Sequence, residues 1–272
     1  MGGDVGAALQ RARHPVPGGA PIDRVTLALP ARAKLNLDLT VVRRADDGFH
    51  ELQTTFQEIE LHDLLLIQRS PQTDLTIEGM DVARKGNSVL AAHEAIEQAT
   101  GRKLNVNFHL YKRIPPGSGM GGASSDAAAA LKGMKALFDL DVALEPIARQ
   151  LGSDVPFFLT GGRARAEGRG EQLTKQSAPG NRWFAIAWPG IELKTADVYR
   201  AWDEVKGEPP NDLQRAAERV EPKVKEFAKK LGDGWQMTGS GSAFFKIAAT
   251  EQEATGAIEH LDCWTAATRA ID

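Results

Sequence analysis

Cysteine is almost missing from this 272-residue chain: Cys263 stands alone, so no intrachain disulfide and no thiolate metal cluster can form. A lone thiol fits a reducing, cytoplasmic interior, and Cys263 reads most simply as a small apolar residue in a late strand. Long apolar runs are lacking as well, since no segment approaches the roughly 18 consecutive apolar residues of a membrane span. The first 24 residues mix Gly, Ala, Pro and Arg without the apolar stretch of a signal peptide and read as a flexible extension. Positive charge is not in excess: 33 Lys and Arg against 36 Asp and Glu give a net charge of -3, which argues against a nucleic-acid partner. The Walker signature G-x-x-x-x-G-K-[ST] occurs nowhere. What is present is ordinary globular composition, 42% hydrophobic and 25% charged, in a chain long enough for two domains.

The pattern along the chain is α+β, without long internal repeats. Val25, Leu27 and Leu29, then Leu35, Leu37, Leu39 and Val41, alternate with polar or small residues in the period of half-buried strands, with Pro30 expected to break them apart. A turn at Ala45 to Phe49 leads to a further strand, and Asn87 or Ser88 caps a helix through Ala99. Leu104, Val106, Phe108 and Leu110 form the next strand. After a second helix, with Pro146 in its first turn and Gly152 past its end, the stretch from Gln176 to Asn181 reads as a linker. The expected division is thus an extension over 1–24, a larger domain over 25–176 and a smaller one over 177–272. Strand, helices and a strand pair around "MTGSGSAFF" follow in the smaller domain.

The chemistry concentrates in "IPPGSGMGGASSDAAAAL", Ile114 to Leu131. Gly117, Gly119, Gly121 and Gly122 allow backbone conformations and close approaches that other residues resist, and Ser124, Ser125 and Asp126 suit the N-cap of the Ala-rich helix behind them. Unpaired amides and partial positive charge at such a helix start favour a phosphate. Gly117, Gly119 and Gly122 also satisfy G-x-G-x-x-G, with Asp141 downstream, but Pro115 and Pro116 interrupt the strand that a dinucleotide fold would run into the first glycine. A tight turn over a buried helix would account for two or three of these glycines without any ligand.

Three separated segments, "ARAKLNLDLTVVRRADDGFHELQT", "IPPGSGMGGASSDAAAAL" and "MTGSGSAFF", resemble in order and spacing the three motifs of the GHMP small-molecule kinases. The first segment together with "LGSDVPFFLTGGRARAEGRGE" is similar to the branch that acts on a cytidine diphosphate-linked methylerythritol in the non-mevalonate isoprenoid route. The likeness runs from about Ala31 to Phe245. It implies a two-domain GHMP kinase fold, with an N-terminal ATP-binding domain and a smaller C-terminal α/β sandwich domain that binds substrate. ATP and Mg2+ follow as cofactors, the metal ligand being undetermined. By the same resemblance Asp154 accepts the proton of the attacking hydroxyl and Lys34 holds it in line. Pro115, Pro116, Gly117, Ser118, Gly119, Met120, Gly121, Gly122, Ala123, Ser124 and Ser125 wrap the triphosphate, while Asn36, Phe49, His50, Thr195 and Tyr199 hold the substrate. Phe49 stands where the family more often has Tyr, so stacking on a base is retained without the hydroxyl. Lys34 and Asn36 lie on the strand face opposite Leu35 and Leu37, as a cleft lining requires. On the residues alone, Asp154 also reads as a helix cap, Lys34 as a solvated lysine and His50 as a structural one. A kinase for another alcohol (homoserine, mevalonate or a sugar) and a non-catalytic nucleotide-binding module are the alternatives. The expected partner is a small molecule, with no nucleic acid or membrane, for a monomer or homodimer.

Overall fold

A computed structural model describes residues 25–177, 180 and 182–272, so the expected N-terminal extension and some of the expected linker lie outside the described residues. The chain packs into two compact units that interleave along the sequence instead of following one another. One takes the described chain up to Ala31, Asp63–Arg113 and Ala123–Leu159; the other takes Arg32–His62, Ile114–Gly122 and Thr160–Asp272. The division at residue 176 is one of chain order, and these units are divisions of packing.

In the first unit, β3 (Asp74–Gly79) pairs in parallel with β4 (Val106–Lys112), and the helix α1 (Ser88–Thr100) makes the crossover between them. The side chain of Asn87 caps α1 by accepting from the Val89 amide, as its type and position foretell. β4 pairs on its other side with the end of β2 (His50–Arg69), antiparallel. Every second residue of β4 faces inward, so Val106, Phe108 and Leu110 are fully buried, and Lys112 continues the same face. The helix α2 (Gly122–Phe138) packs so closely on this sheet that a Cβ at Gly133 would stand 2.3 Å from Ile67 Cδ1 and 2.9 Å from Leu29 Cδ1. A larger residue there would require the ends of those two side chains to shift. The unit closes with α3 (Leu144–Leu151) and the short α4 (Val155–Thr160).

In the second unit the first half of β2 pairs with β5 (Arg163–Glu167), which pairs with β6 (Gln172–Gln176). Neither β5 nor β6 has a clear signature in the sequence, because Gly161, Gly162, Gly168 and Gly170 surround them and only one face of β5 is apolar. A separate sheet has the order β10-β7-β9-β8, from β7 (Trp183–Trp188), β8 (Gln236–Met237), β9 (Phe244–Ala248) and β10 (Trp264–Arg269). The helices are α5 (Thr195–Val205), α6 (Gln214–Val220), α7 (Pro222–Leu231) and α8 (Glu251–Gly256). Leu39, Val41, Val198, Trp202, Leu213, Met237 and Phe244 form one buried cluster, and Ala33, Leu35, Ile59, Ile114, Met120, Phe184 and Phe245 another. Each such large side chain removed from water contributes roughly 1.5–3 kcal/mol.

Three expectations need correction. Pro30 does not break the chain into separate strands: β1 (Thr26–Arg44) runs through it. β1 pairs with β2 in the sheet, and Pro30 is exposed, the setting in which a strand tolerates proline. Ser124, Ser125 and Asp126 are not caps, because α2 already starts at Gly122 and places them in its first turns. Cys263 lies in the bend ahead of β10 instead of within a strand, half-buried, and burial pushes its thiol up from its ordinary value. Among the described residues no helix is long and apolar enough to cross a membrane.

Candidate active site

Segments far apart in sequence meet around the glycine loop, all within the second unit. The Lys34 amide donates to the Met120 carbonyl at 3.0 Å, the Ala243 amide to Ser118 O at 3.0 Å and the Ser242 amide to Gly117 O at 3.2 Å. Ser118 Oγ donates to Pro115 O at 2.6 Å. The loop is therefore fastened through its carbonyl oxygens, the acceptor side of its backbone, whereas an anion is bound by the donor side. Gly117, Gly119 and Gly121 all have positive φ. Gly119, at φ +80°, leaves no room for a side chain, since a Cβ there would lie 2.2 Å from Thr238 O. Two of the loop's side chains are structural: Met120 is buried in the core and Ser118 is spent on its own loop. Ser124 and Ser125 follow on α2, Ser124 half-buried and Ser125 buried.

Lys34 is not a solvated lysine: it is 3% exposed, and its Nζ donates to Asn36 Oδ1 and sits 5.2 Å from the Phe56 ring centroid. Asn36 is fixed in turn. Its Nδ2 donates to Thr54 Oγ1 at 2.8 Å and its backbone amide to Thr238 Oγ1 at 2.9 Å. With Nδ2 turned to Thr54, the side-chain oxygen faces the ammonium. Thr54 and Thr238 carry no distinguishing signal in the sequence beyond their nearness to the motifs. A buried cation held in one geometry is what stabilising a transferring phosphoryl group demands.

The expected substrate residues are spread over several places, Asn36 beside Lys34 and the others as follows. His50, Tyr199 and Asp203 come together: the His50 ring stacks on Tyr199 at 4.9 Å, meets Trp202 edge-on at 5.5 Å and bonds Asp203 Oδ1 through Nε2 at 2.8 Å. Burial acts to raise the Asp203 pKa, but the His50 hydrogen bond and the charges of His50, Arg44 and Lys206 hold it below the usual carboxylate range. With Nε2 engaged, Nδ1 is the ring atom left for a ligand. Thr195 meets Ser240 of the "GSGS" turn, hydroxyl to hydroxyl at 3.0 Å. Phe49 stands apart from the His50 stack, 56% exposed, with the Arg169 guanidinium 3.9 Å from its ring centroid. Arg169, which also pairs with Asp47, has no local signal in the sequence because it comes from the hairpin between β5 and β6.

Asp154 belongs to the first unit, half-buried in the turn between α3 and α4. Among the described residues no three or more His, Cys, Asp or Glu stand together as a metal site. A nucleotide-bound Mg2+ fits such a chain, because it takes its ligands largely from phosphates and water with one or two carboxylates.

The family model for the GHMP kinases N-terminal domain matches residues 87–162, which include the glycine loop and Asp154. The 4-diphosphocytidyl-2-C-methyl-D-erythritol kinase of Caldicellulosiruptor saccharolyticus is 33% identical over 270 residues, spanning 86% of this chain and 92% of that protein. The protein of the same name from Thermus thermophilus is 37% identical over 257 residues, with 86% and 92% covered. A crystal structure of a 4-(cytidine 5'-diphospho)-2C-methyl-D-erythritol kinase matches with a TM-score of 0.79 at 35% identity, covering 90% of this chain and 100% of that one.

Proposed function

The chain belongs to the 4-diphosphocytidyl-2-C-methyl-D-erythritol kinases among the GHMP kinases, and from that premise we propose that it transfers the γ-phosphoryl group of ATP to the 2-hydroxyl of that alcohol. It is an ATP-dependent small-molecule kinase of isoprenoid precursor biosynthesis by the non-mevalonate route. The observation that carries the assignment of roles is the buried Lys34 ammonium, oriented through Asn36 by Thr54 and Thr238 and tied by its own amide to the glycine loop.

Asp154 takes the proton of the attacking hydroxyl as its oxygen bonds to the γ-phosphorus, and the bond from that phosphorus to the β–γ bridging oxygen breaks, releasing ADP. Lys34 orients the hydroxyl and offsets charge on the transferring group. The amides of Gly117 through Ser125 receive the phosphates, with the helix start of α2 adding its partial positive charge. Mg2+ supplies charge neutralisation on the phosphate oxygens when bound. The cytidine is held by Phe49, His50 and Tyr199, with Phe49 as a stacking platform and His50 Nδ1 as an acceptor for the exocyclic amine. Asn36 and Thr195 face the remainder of the substrate.

ADP release from Mg-ATP across a panel of alcohols tests the reading. Turnover confined to 4-diphosphocytidyl-methylerythritol supports it. Turnover of homoserine, mevalonate or a sugar instead would reassign the substrate, and ATP binding with no acceptor at all would leave a non-catalytic module.

A further inference from the structure

A buried ionic group joins residues that flank the glycine loop in the sequence and has no role in the chemistry above. Asp63 on β2 is 0% exposed, Lys112 at the end of β4 is 6% exposed and Asp126 on α2 is 2% exposed. Lys112 Nζ donates to Asp63 Oδ2 at 2.5 Å and to Asp126 Oδ2 at 2.9 Å. Asp63 Oδ1 accepts the Arg113 amide at 2.5 Å. Lys112 and Arg113 are the last residues before the loop, and Asp126 follows Ser125 at its far end. One carboxylate and one ammonium therefore hold both ends of the segment from Ile114 to Ser125.

Charges taken out of water so completely are weak contributors to stability, and apolar residues of similar volume often do as well. The arrangement also leaves Asp126 Oδ1 buried without a hydrogen-bond partner. Stability is therefore a poor explanation for three charged residues here, whereas fixing a geometry is a better one. A phosphate loop needs its ends at a set separation so that its amides converge on one point.

We propose that Asp63, Lys112 and Asp126 form a positioning clamp that sets the span of the phosphate loop, so that they govern ATP affinity without touching ATP. This rests on the reading of Pro115 to Ser125 as the triphosphate cradle. Asp126 is the informative position. Removing its carboxylate leaves Lys112 and Asp63 as a neutral pair, so no buried charge is stranded. Asparagine at 126 keeps an oxygen for Lys112 to donate to.

The test is calorimetric binding of Mg-ATP, steady-state kinetics and amide hydrogen exchange on the full chain. For Asp126→Ala the clamp predicts a Kd and KM for ATP raised about tenfold or more with kcat at saturating ATP within about threefold, and Asp126→Asn recovers most of the affinity. Exchange over 114–125 rises in Asp126→Ala while β4 remains protected. Wild-type ATP affinity in folded Asp126→Ala, or a fall in kcat at unchanged affinity, overturns the proposal. If Asp126→Ala does not fold, Asp63→Asn replaces it, since one amide oxygen cannot serve both Lys112 and the Arg113 amide, and loop exchange equal to wild type in that variant overturns the proposal equally. Should the wild-type protein bind no Mg-ATP, the proposed function fails, and the exchange comparison, which needs no nucleotide, still decides the clamp.

Discussion

Gly119→Ala is the substitution whose cost the structure fixes most closely. At φ +80° an L-residue carries left-handed strain of about 1–2 kcal/mol, and its Cβ would lie 2.2 Å from Thr238 O. An ordinary carbon–oxygen contact is about 3.3 Å, so loop and turn must separate by roughly 1 Å, an overpacking cost of about 1–3 kcal/mol. Gly86→Ala is the internal control: φ is +75° and nothing lies within 4 Å, so it meets the strain without the clash. The loss of unfolded-state freedom is common to both and cancels in the comparison. Gly119→Ala should therefore be less stable than Gly86→Ala by about 1–3 kcal/mol, read as urea midpoints at equal slope or as a Tm lower by roughly 2–10 °C. The displacement also passes along Thr238 to the Asn36 amide and so to Lys34, so kcat/KM should fall about tenfold or more in Gly119→Ala only. Equal destabilisation by the two substitutions would refute the close approach of the loop to the "GSGS" turn.

Asp154→Asn and Lys34→Ala should each lower kcat by about a hundredfold or more in folded protein, and near-normal turnover in either would remove its assigned role. Phe49→Ala should raise the KM for the cytidine substrate about tenfold with ATP unaffected, and Phe49→Tyr should be near neutral; a weakened ATP instead would make Phe49 merely the seat of Arg169. Burial and the Asp63 charge push the Asp126 carboxyl from 3.8 up to about 7 against the pull of Lys112. Its folded value lies above its unfolded one, so the associated stability is complete below about pH 4 and is lost as pH rises to about 7, at most about 4 kcal/mol at about 1.4 kcal/mol per unit. Urea titrations should show wild type losing stability relative to Asp126→Asn between about pH 4 and about pH 7, and parallel curves would contradict the raised Asp126 value.

What the sequence discloses is local. The glycine loop, the Asn87 cap and the inward alternation of β4 depend on spacings of a few residues, and all three are in the structure. The partners of the site residues are distant in sequence: Asn36 is held by Thr54 and Thr238, and His50 by Asp203, 153 positions away. No local pattern encodes such pairings. Pro30 misleads because its tolerance depends on an edge position that only the sheet defines. Lys112 does leave a trace. It occupies the inward parity of Val106, Phe108 and Leu110, where a lysine must find buried carboxylates, and Asp126, which has the look of a cap, is one of them.

The central claim is a phosphoryl transfer to the methylerythritol portion of a cytidine diphosphate substrate. It is tested most directly by phosphorus NMR of the product formed from Mg-ATP and 4-diphosphocytidyl-methylerythritol. The expected result is one new phosphomonoester resonance coupled to the methylerythritol carbon that bears the 2-hydroxyl, with the diphosphate resonances of the substrate retained and ADP formed in equal amount. A phosphate placed on the cytidine ribose, or ADP formed with no new ester, would contradict it.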